Sequence, residues 1–337
     1  MTSEDRVGVD REGVRAVLAA AGIDPGRLNA YEELAEGTFN SVYRVRMAGG
    51  TDLVLKVAPD LSTPRMTYEY GITRTEELFY RTVPDRLPVP EVVHADFGHE
   101  VVGSDLLLMT RLPGQTLYSR RRRTGKTEWD GLRAELGGLV ADLHQITGDA
   151  FGYPQAGLAP NWRTAFLSMV DAVLADARRF AAPLPAPVDR VSDLVRAQAH
   201  LLDDVHTPVL VHFDLWAGNI LTDDTRHGPV ITGLVDGERA FWGDPLAEMV
   251  SLALFGDIAD DPAFLEGYRA AGGVMDLDTR TRRRLALYRC YLYLVMLVEA
   301  VPRGASGPEH EYVAGLVRQE LLASLGALAG EAGGGAR

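Results

Sequence analysis

Cysteine is nearly missing from this chain: Cys290 is the only one in 337 residues. A single cysteine excludes an intramolecular disulfide and any multi-cysteine metal site, and a reducing cytoplasmic setting is expected. Lysine is almost as scarce. Of 34 basic Lys and Arg residues only Lys56 and Lys126 are lysine, so each marks a place where arginine would have been the default. No apolar run reaches the length of about 18 residues that a membrane-spanning helix needs. The richest stretch, "YRCYLYLVMLVEAV" (288–301), is broken by Arg289 and Glu299 and reads as a buried helix with Cys290 in its core. Positive charge is also in deficit. At a formal net charge of −13, neither nucleic acid nor a membrane is expected as a partner. The first residues lack a basic segment followed by an apolar block, so no secretion signal is expected.

What is present is an ordinary globular composition, 46% hydrophobic and 24% charged, with enough length for one large domain or two lobes with real cores. Helical spacing appears at 11–22. Alternation then marks strands within 29–59, where "SVYRVRM" and "DLVLKVA" flank the turn "AGGTD", a hairpin signal. A helix is expected over 67–82, then an extended segment in "PDRLPVPEVVHAD", whose prolines exclude helix. "VVGSDLLLMTRLPG" (101–114) reads as a strand pair turning at Gly103–Ser104. Helical patterns then dominate: 128–146, 161–182, 188–204, 261–271, 279–300 and 309–328. Short β-like runs interrupt them over 209–235. The expected architecture is α+β and two-lobed. Residues 1–110 would form a small antiparallel β lobe with one main helix, and 111–330 a larger, mostly helical lobe. The tail 331–337 is expected to be disordered.

The chemistry concentrates in "VHFDLWAGNIL" (211–221). Asp214 and Asn219 follow the H-x-D-x-x-x-x-N spacing of a phosphoryl-transfer loop. There an Asp accepts the proton of an attacking hydroxyl and an Asn five residues on offers an amide oxygen to Mg²⁺. Gly218 suits a tight turn before the Asn. Asp236 ends an apolar strand in "GLVDGERAFWGDP", placed to be a second oxygen ligand if "DDTRHGP" closes a hairpin; two oxygen ligands plus nucleotide phosphates suit Mg²⁺. Lys56, in "LVLKVA", has the strand setting of a phosphate-pairing lysine. Such a lysine needs a carboxylate from the following helix, where Glu69, Glu76 and Glu77 are available and Glu76 is favoured. Gly37, Asn40 and Ser41 could cover a phosphate with backbone N–H groups and small polar side chains. Asp244–Pro245 reads as a helix start, Asp as cap and Pro at the first position.

Together, Lys56, "LLLMTRLPG" (106–114), "LVADLHQI" (139–146), "HFDLWAGN" and "DGERAFWGDP" resemble the aminoglycoside phosphotransferase / choline kinase-type family of small-molecule kinases, which has the protein-kinase-like fold. The resemblance implies an ATP- and Mg²⁺-dependent O-phosphotransferase, with GTP left open as donor. Asp214 would be the catalytic base, and Asn219 and Asp236 the metal ligands. Lys56, held by Glu76, would pair with the phosphates, and backbone groups from Met109 to Leu112 would bind adenine. His212 and His144 match family positions and read as structural. Phe213 stands where the family usually has a small residue and Gly237 where it usually has an aromatic one, and either could reshape the acceptor pocket. No Arg stands beside Asp214 in the triplet and no A-P-E segment follows, so protein substrates are not expected.

The acceptor is expected to be a small molecule bound by a monomer or homodimer. Antibiotic inactivation is the preferred role. A sugar, a fructosamine-type adduct or an amino alcohol is the alternative, since "DLWAGN" has a form seen in fructosamine kinases; a nucleotide-binding pseudokinase ranks below both. Asp257, Asp260, Asp261 and Glu266 could hold a cationic acceptor, or could be helix caps on a solvated loop. "SRRRRTGK" (119–126), with Arg120–Arg123 at its centre, points the other way in charge and reads more safely as a solvated loop.

Overall fold

The computed structural model describes residues 8–34 and 39–330. The chain opens with α1 (Arg11–Ala20), capped by Asp10, whose carboxylate accepts from the Gly13 N–H. Then come β1 (Leu28–Glu33), β2 (Ser41–Met47), β3 (Asp52–Val57), α2 (Ile72–Thr82), β4 (Val92–Asp96) and β5 (Leu106–Thr110). The five strands form one antiparallel sheet in the order β1-β2-β3-β5-β4. Side chains alternate across a strand, and both faces of β5 are used. Leu106 and Leu108 join Val14, Val17 and Leu18 of α1 in one cluster, while Leu107 and Met109 join Phe79, Tyr80 and Val83 of α2 in another.

The segment 111–114 leads into the larger lobe: β6 (Gln115–Thr116), α3 (Leu117–Arg120), α4 (Lys126–Leu143), α5 (Trp162–Arg179), α6 (Val188–Gln198), β7 (Val209–Val211), β8 (Ile220–Thr225), β9 (Gly228–Leu234), β10 (Phe241–Gly243), α7 (Glu248–Leu252), α8 (Pro262–Ala270), α9 (Thr279–Glu299) and α10 (Pro308–Ala329). α9 is buried along most of its length, Cys290 included, as the apolar run at 288–301 required. Two glycines let α4 and α8 cross at backbone contact. A Cβ on Gly137 would lie 2.2 Å from Phe264 O, and one on Gly267 would lie 1.9 Å from Ala134 O. No helix among the described residues is long and apolar enough to cross a membrane.

Two expectations need correction. The partners of 106–110 are β3 and β4, not the residues just before it. Residues 97–103 instead make a turn around Asp96, whose carboxylate accepts from the N–H groups of Gly98, Glu100 and Val101, with His99 and Gly103 at positive φ. The helix expected over 67–82 is split at Gly71, whose φ of 75° is left-handed; a short 3₁₀ turn, Thr67–Glu69, precedes it. That turn is fastened to the larger lobe. Thr67 donates from N and Oγ1 to Asp176, and Met66, Tyr68 and Ile72 share the larger lobe's core. The tail 331–337 lies outside the described residues.

Candidate active site

Lys56 sits on β3 between Val42 of β2 and Leu107 of β5 and is buried. A buried ammonium needs partners, and three carboxylates supply them. Lys56 Nζ donates to Glu76 Oε2 at 2.8 Å, to Glu238 Oε2 at 2.7 Å, and to Asp236. Burial works against the charged amine, but Asp236, Glu238 and Glu76 outweigh it and hold Lys56 well above its ordinary value. Glu76 is pushed up to about 7, burial outweighing the pull of Lys56. Glu77 and Glu69, the other candidates on this segment, are engaged by Arg81 and Arg303.

The segment 212–219 follows β7 as a tightly pinned turn. Phe213, at φ 63°, adopts a left-handed conformation unusual for an aromatic residue,. Buried Glu248 of α7 holds it there, accepting from His212 N at 2.6 Å and Phe213 N at 3.0 Å. His212 accepts from Asp214 N at Nδ1 and bonds Val235 O through Nε2. Burial lowers its pKa to about 4, which keeps it neutral and structural. β8 and β9 do close a hairpin through 226–227, pairing Ile220 with Leu234, so Asn219 and Asp236 meet at its open end, where Val235 N donates to Asn219 O. Asn219 Nδ2 donates to Asp214 O at 2.9 Å, which leaves Oδ1 as that amide's acceptor atom. With the Asp236 carboxylate, 39% exposed, the donor set is all oxygen and fits Mg²⁺.

Asp214 lies against Arg239, with Nε of the guanidinium 3.7 Å from its Oδ2. Arg239 is held in turn by Glu299 at the end of α9, at 2.9 Å. Burial raises the Asp214 pKa to about 7 against the pull of Arg239, close to the value that suits a general base at neutral pH.

Asn40 joins the same cluster, its Nδ2 donating to Glu238 Oε2 at 2.8 Å. Asn40 Oδ1 and Ser41 Oγ are buried without a hydrogen-bond partner among the described residues, so two polar atoms beside the Lys56 cluster stand ready for a ligand. Gly37 lies outside the described residues. Met109 is buried at the end of β5, and Leu112 rests its side chain over Gly233. The acidic residues proposed for the acceptor are dispersed. Asp257 pairs with Arg289 and caps a 3₁₀ turn. Asp261 pairs with Arg133 and caps α8. Asp260 and Glu266 are exposed. In the basic run, Arg120 bonds Thr222 and Asp224, Arg123 bonds Gln115, and Arg121 covers the Trp129 ring. Asp244 caps its turn as read, accepting from Leu246 N. His144 bonds the Tyr268 hydroxyl, remote from Asp214 in its contacts.

Three sequence details take a different physical meaning. Gly218 is not in the left-handed region; it makes room for Trp216, whose ring would lie 2.1 Å from a Cβ. Gly237 opens no acceptor space, because the Phe79 ring of α2 fills it, 2.4 Å from where a Cβ would be. Phe213 is core, packed on Phe241 and Tyr291. Glu238, Arg239, Glu248 and Glu299 are site residues that sequence reasoning missed. Glu299 left a signal, as a lone acid inside an apolar helix, and Glu238 lies two residues beyond Asp236.

A family model described as "Phosphotransferase enzyme family" matches residues 30–288. A probable ketoamine kinase of Lactiplantibacillus plantarum is 28% identical over 250 residues, 67% of this chain and 82% of that protein. Another, of Enterococcus faecium, is 25% identical over 233 residues, 62% of this chain and 78% of that protein. Among solved structures, a putative fructosamine-3-kinase from Thermobifida fusca superposes with a TM-score of 0.66 at 23% identity, covering 94% of this chain and 99% of the other. A thermostable mutant of aminoglycoside phosphotransferase APH(4)-Ia, in ternary complex with AMP-PNP and hygromycin B, does so with a TM-score of 0.64 at 20% identity over all of both chains. These likenesses establish the kinase-like two-lobed α+β fold. With the family model spanning most of its length, the chain belongs to the phosphotransferase enzyme family, the small-molecule kinases of aminoglycoside phosphotransferase and choline kinase type.

Proposed function

We propose that this kinase transfers the terminal phosphoryl group of ATP to a hydroxyl of a small molecule, with a hydroxylated antibiotic as acceptor. The observation that carries the transfer chemistry is the convergence of Lys56, Glu76, Asp214, Asn219 and Asp236, drawn from four separate stretches of sequence, on one cluster. Asp214, with its pKa near 7, takes the proton of the attacking hydroxyl,. Arg239 fixes the carboxylate's direction and opposes its protonation. Lys56 presents a permanent positive charge to the phosphates. Asn219 Oδ1 and the Asp236 carboxylate would hold Mg²⁺, which when bound neutralises phosphate charge. Catalysis is then chiefly positioning and electrostatic stabilisation.

A second acceptor class, a ketoamine such as a fructosamine-type adduct, is favoured by the two probable ketoamine kinases among the relatives and by the "DLWAGN" motif. The engagement of Asp257 and Asp261 by arginines also leaves less free negative charge for a polycationic antibiotic. One Mg·ATP consumption screen over antibiotics, ketoamines, sugars and amino alcohols separates these readings by which acceptor turns over. Asp214→Ala should lower turnover of the acceptor found by about 10²-fold or more and leave ATP binding unchanged. Undiminished turnover in that variant overturns the role of Asp214.

A further inference from the structure

Tyr80 lies one helical turn after Glu76 on α2 and is buried. Its hydroxyl accepts from the Asp236 backbone N–H at 2.9 Å and donates to Glu76 Oε1 at 3.0 Å. Glu76 gives its other oxygen, Oε2, to Lys56. A single phenol therefore links the phosphate-binding pair on the sheet and α2 to the backbone of the metal-ligand residue in the other lobe. All of its hydrogen-bonding direction is used in one sense, N–H to O–H to carboxylate, an order in which each bond polarises the next.

The link matters because Asp236 holds a costly conformation. Its φ of 66° and ψ of 48° are left-handed, a region that side chains other than glycine enter at a penalty. The surrounding contacts must therefore over-determine it. The preceding residue on α2, Phe79, packs on the same turn, filling the space above Gly237 and meeting the His212 ring edge-on at 5.1 Å between centroids. Phe79 excludes other packings of the turn, and Tyr80 adds a directional bond to its backbone at Asp236.

We propose that Tyr80 is a positioning residue for phosphoryl transfer. Its hydroxyl ties the Asp236 backbone to the Lys56–Glu76 pair, so that the metal-ligand carboxylate and the phosphate-binding amine keep one mutual geometry. The inference rests on the phosphotransferase reading above. Its structural part, the tie itself, can be measured without any ligand.

The test is Tyr80→Phe in the full-length protein, which removes the hydroxyl and keeps the packed ring. In the ligand-free protein the Asp236 amide should exchange with deuterium about tenfold faster, as expected for one lost hydrogen bond, while amides in the interior of α2 keep their rates. With the acceptor found in the screen, the Mg²⁺ concentration for half-maximal turnover and the KM for ATP should rise by about tenfold, and the KM for acceptor should stay unchanged. Unaltered exchange at Asp236 overturns the proposal. So does a variant with faster exchange throughout α2 and unchanged Mg²⁺ and ATP dependence, which is the signature of a packing role alone. If the wild-type enzyme consumes ATP with no acceptor, the functional reading falls, and the exchange measurement alone decides the tie.

Discussion

Adjacent glycines on α4 should respond to the same substitution with opposite signs. Alanine at either position of a helix interior gains about 0.5–1 kcal/mol over glycine from backbone entropy. At Gly138 nothing lies within 4 Å of the added methyl, so Gly138→Ala should stabilise the protein by up to about that amount. At Gly137 the methyl would lie 2.2 Å from Phe264 O and 2.6 Å from Tyr268 N. Both are backbone atoms of α8, so no rotamer change relieves the overlap. Reaching ordinary contact at 3.4 Å requires roughly 1 Å of helix separation, the difference between 3.4 and 2.2 Å. A gap of that size forfeits about a quarter to a half of each dispersion contact it opens. The contacts at stake belong to a core containing Leu136, Val140, Phe264 and Tyr268. Overpacking of this kind costs about 1–3 kcal/mol and sometimes more, and the backbone location puts Gly137→Ala at the upper end. After the entropy gain is subtracted, a net loss of about 2 kcal/mol is expected. Urea titrations of the two variants, fitted with a common slope, measure the difference directly. A Gly137→Ala protein as stable as wild type would refute the close crossing of α4 and α8.

Lys56→Met should abolish turnover and leave Glu76, Asp236 and Glu238, whose oxygens lie within 4.8 Å of one another, without their cation. Against their burial, Lys56 holds the carboxyl pKa of Glu76 and Asp236 down. Without it both rise in the folded state and stability falls as pH increases, so the deficit in a thermal melt should be larger at pH 8 than at pH 5, and an equal deficit contradicts the cluster. His144 is buried, and burial lowers its pKa to about 3, far below the unfolded value of about 6.5. Stability from the neutral ring is complete above pH 6.5 and is lost as pH falls toward the folded value. Relative to His144→Asn, the wild type should therefore lose about 3 kcal/mol between pH 7 and pH 4, and parallel stability curves would show the ring to be solvated.

Patterns with a local physical cause were legible in the sequence. Alternation placed β2 and β3, and helical periodicity placed α4, α5, α9 and α10 within a few residues. Where a short-range preference was decisive but ambiguous, the reading slipped. Gly71 could have stood inside a helix and instead broke it with a left-handed φ. The run at 101–105 carried strand-like residues, but Asp96 drew the N–H groups of Gly98, Glu100 and Val101 into a turn. Gly218 and Gly237 were read for backbone freedom or pocket shape. Both answer to a neighbouring ring: Gly218 to Trp216 of the same loop, and Gly237 to Phe79 of α2, far outside any local window of sequence.

The sequence by itself singled out the candidate reacting groups. The spacing of His212, Asp214 and Asn219, the strand leading to Asp236, and a lysine at 56 in a chain that otherwise favours arginine are chemical constraints written into short stretches. Tertiary structure alone decided the company those groups keep. It brought Glu238 and Asn40 to Lys56, Arg239 and Glu299 to Asp214, Glu248 beneath the catalytic loop, and Tyr80 between the two lobes. The reason is distance along the chain. The charge state and direction of a buried side chain are set by desolvation and by partners that fall off steeply beyond contact range. Here those partners lie up to 198 residues away, and only the folded packing brings them within 4 Å.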